Sequence, residues 1–296
     1  MKTLFNTIGL MGRIRHEATR QTFLSLIGQL NALNVNLIIE ENIAQQLKNT
    51  TLPCASKAVL SQKSDLIIVV GGDGCLLEAA RIAVVDDTPL IGVNRGRLGF
   101  LADLAPDTLD ETIPAILQGH YIEENRFLLE AEINKGEICG CALNDIVLAS
   151  GNTAHMTEFE VYVDGKFMCS ERSDGLIIAT PTGSTAYALS GGGPILHPSL
   201  NAITLVPMFS HTLNSRPIVL NADMTINILI GTQIAASPQL SCDGHIVAKL
   251  AAQQKITIRK KKRPLRLLHP THYRYFRNLG QKLHWGKKLV SPTQEW

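Results

Sequence analysis

The hydrophobic period changes near residue 120, and no other feature of the sequence limits the fold so strongly. Before that point, apolar runs at Leu4–Leu10, Val35–Ile39, Leu66–Val70 and Pro89–Val93 read as short buried strands. Helical spacing fills the intervals near His16–Leu33, Leu76–Val85 and Thr108–Leu117. Strands alternating with helices predict an α/β N-terminal domain with a doubly wound, Rossmann-like and mostly parallel sheet. Gly119 is placed to stop the last of these helices. From about residue 126 the period is two. Phe159, Val161 and Val163 alternate with Glu158, Glu160 and Tyr162, and Asp164-Gly165 then marks a hairpin. Asn134-Lys135-Gly136 marks a second turn. Ile218–Leu220, Thr225–Ile230, Ile246–Leu250 and Ile256–Ile258 read as further strands. A β-rich C-terminal domain follows from this pattern. Residues 264–296 show only weak helical spacing.

The chain has 296 residues, of which 45% are hydrophobic and 18% charged. That is enough to bury a core without staples, and it excludes a disordered chain. The start, with Asn6, Gly9 and Gly12 breaking its apolar stretch, does not read as a signal peptide. No run reaches the roughly 20 apolar residues of a membrane helix. The six cysteines are therefore expected to be free thiols in a reducing compartment, with Cys139 and Cys141 buried on one strand face. Charge is uneven: residues 259–296 hold 11 of the 28 Lys+Arg and one acid, leaving the rest of the chain acidic.

Glycine is uneven too. Eleven of 23 fall in residues 71–99 and 175–193, where a backbone can approach a ligand closely. In the first segment a buried strand ends in Gly71-Gly72-Asp73-Gly74 and a helical pattern follows. Amides at such a strand end and helix start favour phosphate. Leu77 stands where a GxGxxG run has its third glycine, and no P-loop lysine is present. An acid inside a phosphate turn implies a metal or a proton transfer. Residues 94–101, with Asn94 and Gly96, form either a second loop at the same sheet edge or a turn feeding Leu98, Phe100 and Leu101 into the core. Asn144-Asp145 precedes a strand, which by itself is ordinary turn chemistry. In the second segment, Leu176–Ala179 runs into Thr180, Thr182, Ser184, Thr185, Tyr187 and Ser190, hydroxyls and a ring suited to a nucleotide.

GGDG at 71–74, NRGRLGFL at 94–101, Asn144-Asp145, DGLIIATPTGSTAYALSGGGPILHP at 174–198 and SCDGH at 241–245 occur in that order. Together they closely resemble the bacterial NAD kinase family, and the similarity extends to the tail around LLHPTHYRYF. The resemblance implies an α/β domain over 1–123, a β-rich NAD-binding domain over 124–265, and a segment over 266–296 that returns to the first domain. It implies that Asp73 is the catalytic aspartate, with Gly71, Gly72 and Gly74 at phosphate. Asn144 and Asp145 match the pair that holds the NAD adenosine. Thr185, Ala186, Tyr187 and Ser190 match the segment lining the dinucleotide site, and Gly74 lies beside Asp73 there. Arg172 and Asp174 match residues on the nicotinamide side, and His155 and His245 match further contacts. Asp145 stands where relatives usually carry Glu, and His245 where they often carry Gln.

The implied reaction is transfer of the ATP γ-phosphoryl group to the adenosine 2′-hydroxyl of NAD, giving NADP and ADP, with Asp73 accepting the hydroxyl proton. Mg²⁺ is expected to ride in largely on the ATP phosphates and water, with no dedicated carboxylate cage and no metal ligand assigned in the protein. Asp73→Asn is expected to keep the fold. NAD and ATP are the implied partners, in a cytoplasmic homodimer or homotetramer with no nucleic acid or membrane. A lipid or sugar kinase sharing GGDG, and a non-catalytic dinucleotide sensor, remain alternatives at this point.

Overall fold

The computed structural model describes residues 3–48, 51–95, 99–134, 136–151, 156–212, 214–232 and 237–286. Two compact units divide the chain, one formed by Met1–Glu124 with Leu267–Trp296 and the other by Asn125–Arg266. Among the described residues no helix is long and apolar enough to cross a membrane.

The first unit is built on strands β1 (Thr7–Gly12), β2 (Asn36–Glu40), β3 (Cys54–Ala55), β4 (Leu66–Gly71), β5 (Leu90–Asn94) and β6 (Tyr121–Arg126). Its helices are α1 (Glu17–Ala32), α2 (Glu41–Leu47), α3 (Lys57–Lys63), α4 (Asp73–Asp86) and α5 (Leu109–Leu117). Period-two alternation decides what each face covers. Ile8 and Leu10 of β1 and Ile91 and Val93 of β5 join Phe23, Leu26, Leu30, Ile113 and Ile116 in one core. The intervening Gly9 and Gly92 point the other way. A Cβ on Gly9 would lie 2.6 Å from Leu60 of α3, and one on Gly92 2.6 Å from Leu76 of α4. Helices therefore cover both faces of the sheet, as the sequence predicts. Gly119 ends α5 with φ +97, and its amide and that of His120 bond back to Ile116 and Ala115.

The strand order runs β3-β2-β1-β4-β5 and then the tail strand, with β6 at the end. The β1, β2, β4 and β5 pairings are parallel. The chain departs from β1 in one direction and returns at β4 in the other. This switch point leaves a crevice at the carboxyl ends of β1 and β4, where such sheets bind ligands. Gly71 is the last residue of β4.

The second unit holds β7 (Leu129–Ile133), β8 (Glu137–Ala142), β9 (Asp145–Ala149), β10 (Thr157–Val163), β11 (Lys166–Ser173) and β12 (Gly175–Ala179). Helix α6 (Tyr187–Ser190) follows, then β13 (Ala202–Met208), β14 (Ile218–Asn221), β15 (Ile226–Ile230), β16 (Gln239–Cys242), β17 (His245–Lys249) and β18 (Lys255–Lys260). Two antiparallel sheets, β11-β10-β15-β18-β7-β8 and β14-β13-β12-β9-β16-β17, share one core that includes Phe159, Val161, Ile226 and Ile256 from the first and Ile146, Leu148, Ile178 and Leu240 from the second. Val147, Ile177 and Val206 pack with Ala188 of α6 on the other face of the second sheet. All five residues of β12 are consequently buried.

The tail differs from its weakly helical reading. It forms strand β19 (Leu265–Pro270), parallel to β5, and only then a helix, α7 (Tyr275–Lys282). The cysteine expectation also changes. All six are free thiols, but Cys139 and Cys141 are half-buried. A bulge in the β7–β8 pairing leaves Cys139 out of register, so simple alternation fails there.

Candidate active site

In the first unit the site begins where β4 ends. Gly72 caps α4 in an extended conformation, and Asp73 opens the helix. The early amides of a helix lack internal partners and carry its positive dipole end, so an anion is favoured here. The three glycines have different work. A Cβ on Gly71 would lie 2.6 Å from Cys75 Sγ, whereas Gly72 and Gly74 have nothing within 4 Å of a Cβ position. Gly72 and Gly74 are thus the two that leave open space beside the helix start.

The Asp73 carboxylate does not project freely. Phe100 N–H donates to Oδ2 at 2.9 Å, and Leu101 and Ala102 donate to Oδ1 at 3.1 and 3.2 Å. Gly99 makes this possible, since its Cβ would sit 2.2 Å from Asp73 Oδ1. A carboxylate offers about four lone-pair positions. Among the described residues three are engaged, and one remains on Oδ2. The 94–101 segment thereby gains a role beyond packing. Asn94 and Leu101 are buried and Phe100 is half-buried beneath the Lys282 ammonium; Gly96 and Leu98 lie outside the described residues.

In the second unit, Asn144, Asp145, Thr180 and Asp243 meet at one end of the β12-β9-β16 sheet. The register pairs Asp145 with Ala179 and Ile146 with Cys242. Asn144 is clasped by the hydroxyl-rich loop: Thr180 N–H donates to its carbonyl at 2.9 Å, and Thr180 Oγ1 donates to the Leu143 carbonyl. Gly183 rests directly on this turn, for its Cβ would lie 2.0 Å from the Asn144 oxygen. Several hydroxyls read as ligand groups serve the loop itself. Ser184 Oγ donates to the Pro181 carbonyl and accepts from Leu196 N–H, Thr185 Oγ1 donates to the Thr182 carbonyl, and Thr182 Oγ1 accepts from Arg126. Ala186 is half-buried, while Tyr187 and Ser190 at the two ends of α6 are exposed. Tyr187 thus presents an exposed aromatic ring at the start of α6.

Asp145 is 5% exposed, and its carboxyl is pushed up to about 7, first by burial and second by the nearby Asp243 charge. Asp243 carried no role in the sequence reading. Its signal was the Asp-Gly step after a strand in SCDGH, a pattern shared with ordinary hairpins.

Arg172 and Asp174 lie elsewhere in the unit. Asp174 precedes Gly175, at the opposite end of β12 from Ala179, about 17 Å away along the strand. Arg172 is exposed and stands 3.7 Å from Glu158. His245, the first residue of β17, is exposed. His155 lies outside the described residues.

A glycine turn at a helix start on a switch-point sheet, with a clasped Asn-Asp turn in the second unit, is compatible with a small-molecule phosphotransferase. Comparison with known families and structures narrows that class. The ATP-NAD kinase N-terminal domain matches residues 8–121, and the ATP-NAD kinase C-terminal domain matches 143–269. An NAD kinase of Chromohalobacter salexigens is 50% identical over 288 residues, covering 96% of this chain and 98% of that protein. An NAD kinase of Coxiella burnetii is 50% identical over 292 residues, covering 98% and 97%. The crystal structure of yeast NADH kinase complexed with NADH superposes with a TM-score of 0.86 at 25% identity, covering 96% of this chain and 90% of that one. An NAD kinase from Archaeoglobus fulgidus in complex with ATP shares the fold, with a TM-score of 0.73 at 24% identity over 94% and 98%. The chain belongs to the ATP-NAD kinase family. It is an enzyme that phosphorylates NAD.

Proposed function

We propose that the chain transfers the γ-phosphoryl group of ATP to the adenosine 2′-hydroxyl of NAD, releasing NADP and ADP. The observation that carries this reading is the Gly72-Asp73-Gly74 turn, with open space at both glycines and, among the described residues, one lone pair of Asp73 Oδ2 left unfilled. Phosphoryl transfer asks mainly for positioning and charge stabilisation. Asp73 Oδ2 takes the hydroxyl proton, while the amides of the turn and of α4 hold phosphate oxygens. Asn144 and Asp145 hold the adenosine, with Thr185, Ala186, Tyr187 and Ser190 along the dinucleotide. Arg172, Asp174, His155 and His245 serve its remaining contacts.

Among the described residues no three of His, Cys, Asp or Glu converge where they could hold a metal ion. We infer that Mg²⁺ enters carried on the ATP phosphates and water, the usual arrangement for this ion. When bound, Mg²⁺ supplies neutralisation of the triphosphate charge. We assign the enzyme to the cytoplasm, in keeping with its six free thiols.

The test is an acceptor series with Mg-ATP as donor: NAD, NADH, a hexose and a diacylglycerol. NAD is expected to be the preferred acceptor, ahead of NADH. A hexose or lipid accepting phosphate faster than NAD would replace this reading with a kinase of the wider GGDG type.

A further inference from the structure

Asp243 and Gly244 form the two-residue turn between β16 and β17, with φ of +48 and +77. An Asp-Gly step is the ordinary choice for such a hairpin. The Asp243 carboxylate, however, reaches out of its own turn to the start of β9. Leu143 N–H donates to Oδ2 at 3.0 Å, and Asn144 and Asp145 donate to Oδ1 at 2.8 and 3.3 Å. Asp243 N–H in turn donates to the Asp145 carbonyl at 3.0 Å. The carbonyls of Leu143 and Asn144 are taken by Thr180 from the other side. The backbone of 143–145 is therefore held on both sides, and the side chains of Asn144 and Asp145 have little freedom of placement. The other Asp-Gly hairpin, Asp164-Gly165, makes a smaller version of this contact: Asp164 Oδ1 accepts one N–H, from Thr225.

We propose that Asp243 is a positioning residue for NAD: its carboxylate fixes the 143–145 backbone so that Asn144 and Asp145 meet the adenosine. This rests on the reading of Asn144 and Asp145 as the adenosine pair. Asp243 acts through them and does not touch the reacting atoms. A second effect accompanies the first. The Asp243 charge is the second cause, after burial, of the upward shift of Asp145. Among the described residues, the buried Cys242 thiol, whose residue pairs in register with Ile146, is a further titratable group at this sheet end. Removing the Asp243 charge should lower the Asp145 titration, whereas Asp243→Glu, which keeps the charge, should leave it raised.

The experiment measures NAD affinity by calorimetry from pH 5.5 to 8.5, with steady-state kinetics for NAD and ATP, on the full chain. The variants are Asp243→Asn, Asp243→Glu, Asn144→Ala, the Asn144→Ala/Asp243→Asn double variant, and Asp164→Asn as control. Asp243→Asn should weaken NAD binding by about tenfold and leave the KM for ATP near wild type. The pH midpoint of NAD binding should move to lower pH. The losses from Asn144→Ala and Asp243→Asn should be less than additive, since one acts through the other. Asp164→Asn should leave NAD affinity unchanged. If Asp243→Asn does not fold, Asp243→Glu, which keeps the charge but displaces it by a methylene, carries the same affinity test. Wild-type NAD affinity in a folded Asp243 variant, with Asn144→Ala impaired, overturns the proposal alone. Wild-type affinity in Asn144→Ala overturns the adenosine assignment and the proposal with it.

Discussion

At the residue scale, Asp73 shows how a contact across the fold alters what a substitution should do. From sequence, an amide in its place looks harmless to folding. Yet the carboxylate accepts from Phe100, Leu101 and Ala102, and an amide turns an N–H donor toward at least one of them. Asp73→Asn is therefore expected to lower stability by about 1–3 kcal/mol, besides slowing turnover by about 10²–10⁴. Thermal melts beside kcat measure both, and wild-type kcat in a folded variant would remove Asp73 as the proton acceptor. The glycines make a paired case. Gly183→Ala would drive a Cβ into the Asn144 backbone, whereas Gly72→Ala meets nothing within 4 Å. The first should cost about 1–3 kcal/mol of stability and weaken NAD binding. The second should leave the melting temperature nearly unchanged and impair ATP use. A Gly183→Ala protein as stable as wild type would contradict the close approach. The motif residues stood out in the sequence by type and spacing. Their partners did not. Whether Thr180 or Ser184 turns its hydroxyl to a ligand or to a carbonyl is set by a backbone path that spacing does not encode. Asp243 bonds to amides about a hundred positions away.

At the scale of elements, long periodic segments were legible and short polar ones were not. Helices α1, α4 and α5 and strands β2, β4 and β5 follow the hydrophobic period. The span Glu40–Lys63 carries too few apolar residues to show one, yet it forms α2, β3 and α3 by docking on the β1–β2 edge. Strand β1 is displaced from its expected position: it runs Thr7–Gly12, and Leu4 lies outside it, 60% exposed. The tail strand β19 was obscured by its charged flanks. It carries a buried clasp. His269 Nδ1 lies 2.9 Å from Asp103 Oδ2, Nε2 lies 3.2 Å from Glu124 on β6, and the ring stacks on Tyr273 at 4.0 Å. Burial alone would lower the imidazolium pKa, but the hydrogen bond to Asp103 and the charges of Asp103 and Glu124 outweigh it, and the net shift is upward. A raised folded-state value makes the stabilisation complete below the unfolded value of roughly 6.5, and it is lost as pH rises through the folded one. His269→Gln should cost about 3 kcal/mol near pH 5.5, with the gap narrowing toward pH 9. Denaturant titration at both values checks this, and a gap that widens with pH would refute the clasp.

At the scale of the whole molecule, the basic C-terminal stretch is partly neutralised by acids from earlier in the chain. Arg259 pairs with Glu130 and Glu132, Lys260 with Asp223, and Lys261 with Glu130. Composition displayed the imbalance, but strand pairing between β18 and β7 supplies its counter-charges. The β sheets also end in open edge strands β8, β11, β14 and β17 with exposed Ile138, Phe167, Val219 and Ile246. Unpaired strands bearing apolar side chains invite association. We propose a homodimer or homotetramer on this ground. Sedimentation at micromolar concentration should give a mass of two or four chains, and a monomer would refute it. The central claim is the reaction itself. Incubation of the purified chain with NAD and Mg-ATP, followed by ³¹P NMR of the product, tests it most directly. The account predicts NADP bearing its new phosphate on the adenosine 2′-oxygen, with ADP formed in equal amount. Phosphate on any other hydroxyl, or ATP consumed with no phosphorylated dinucleotide, would contradict it.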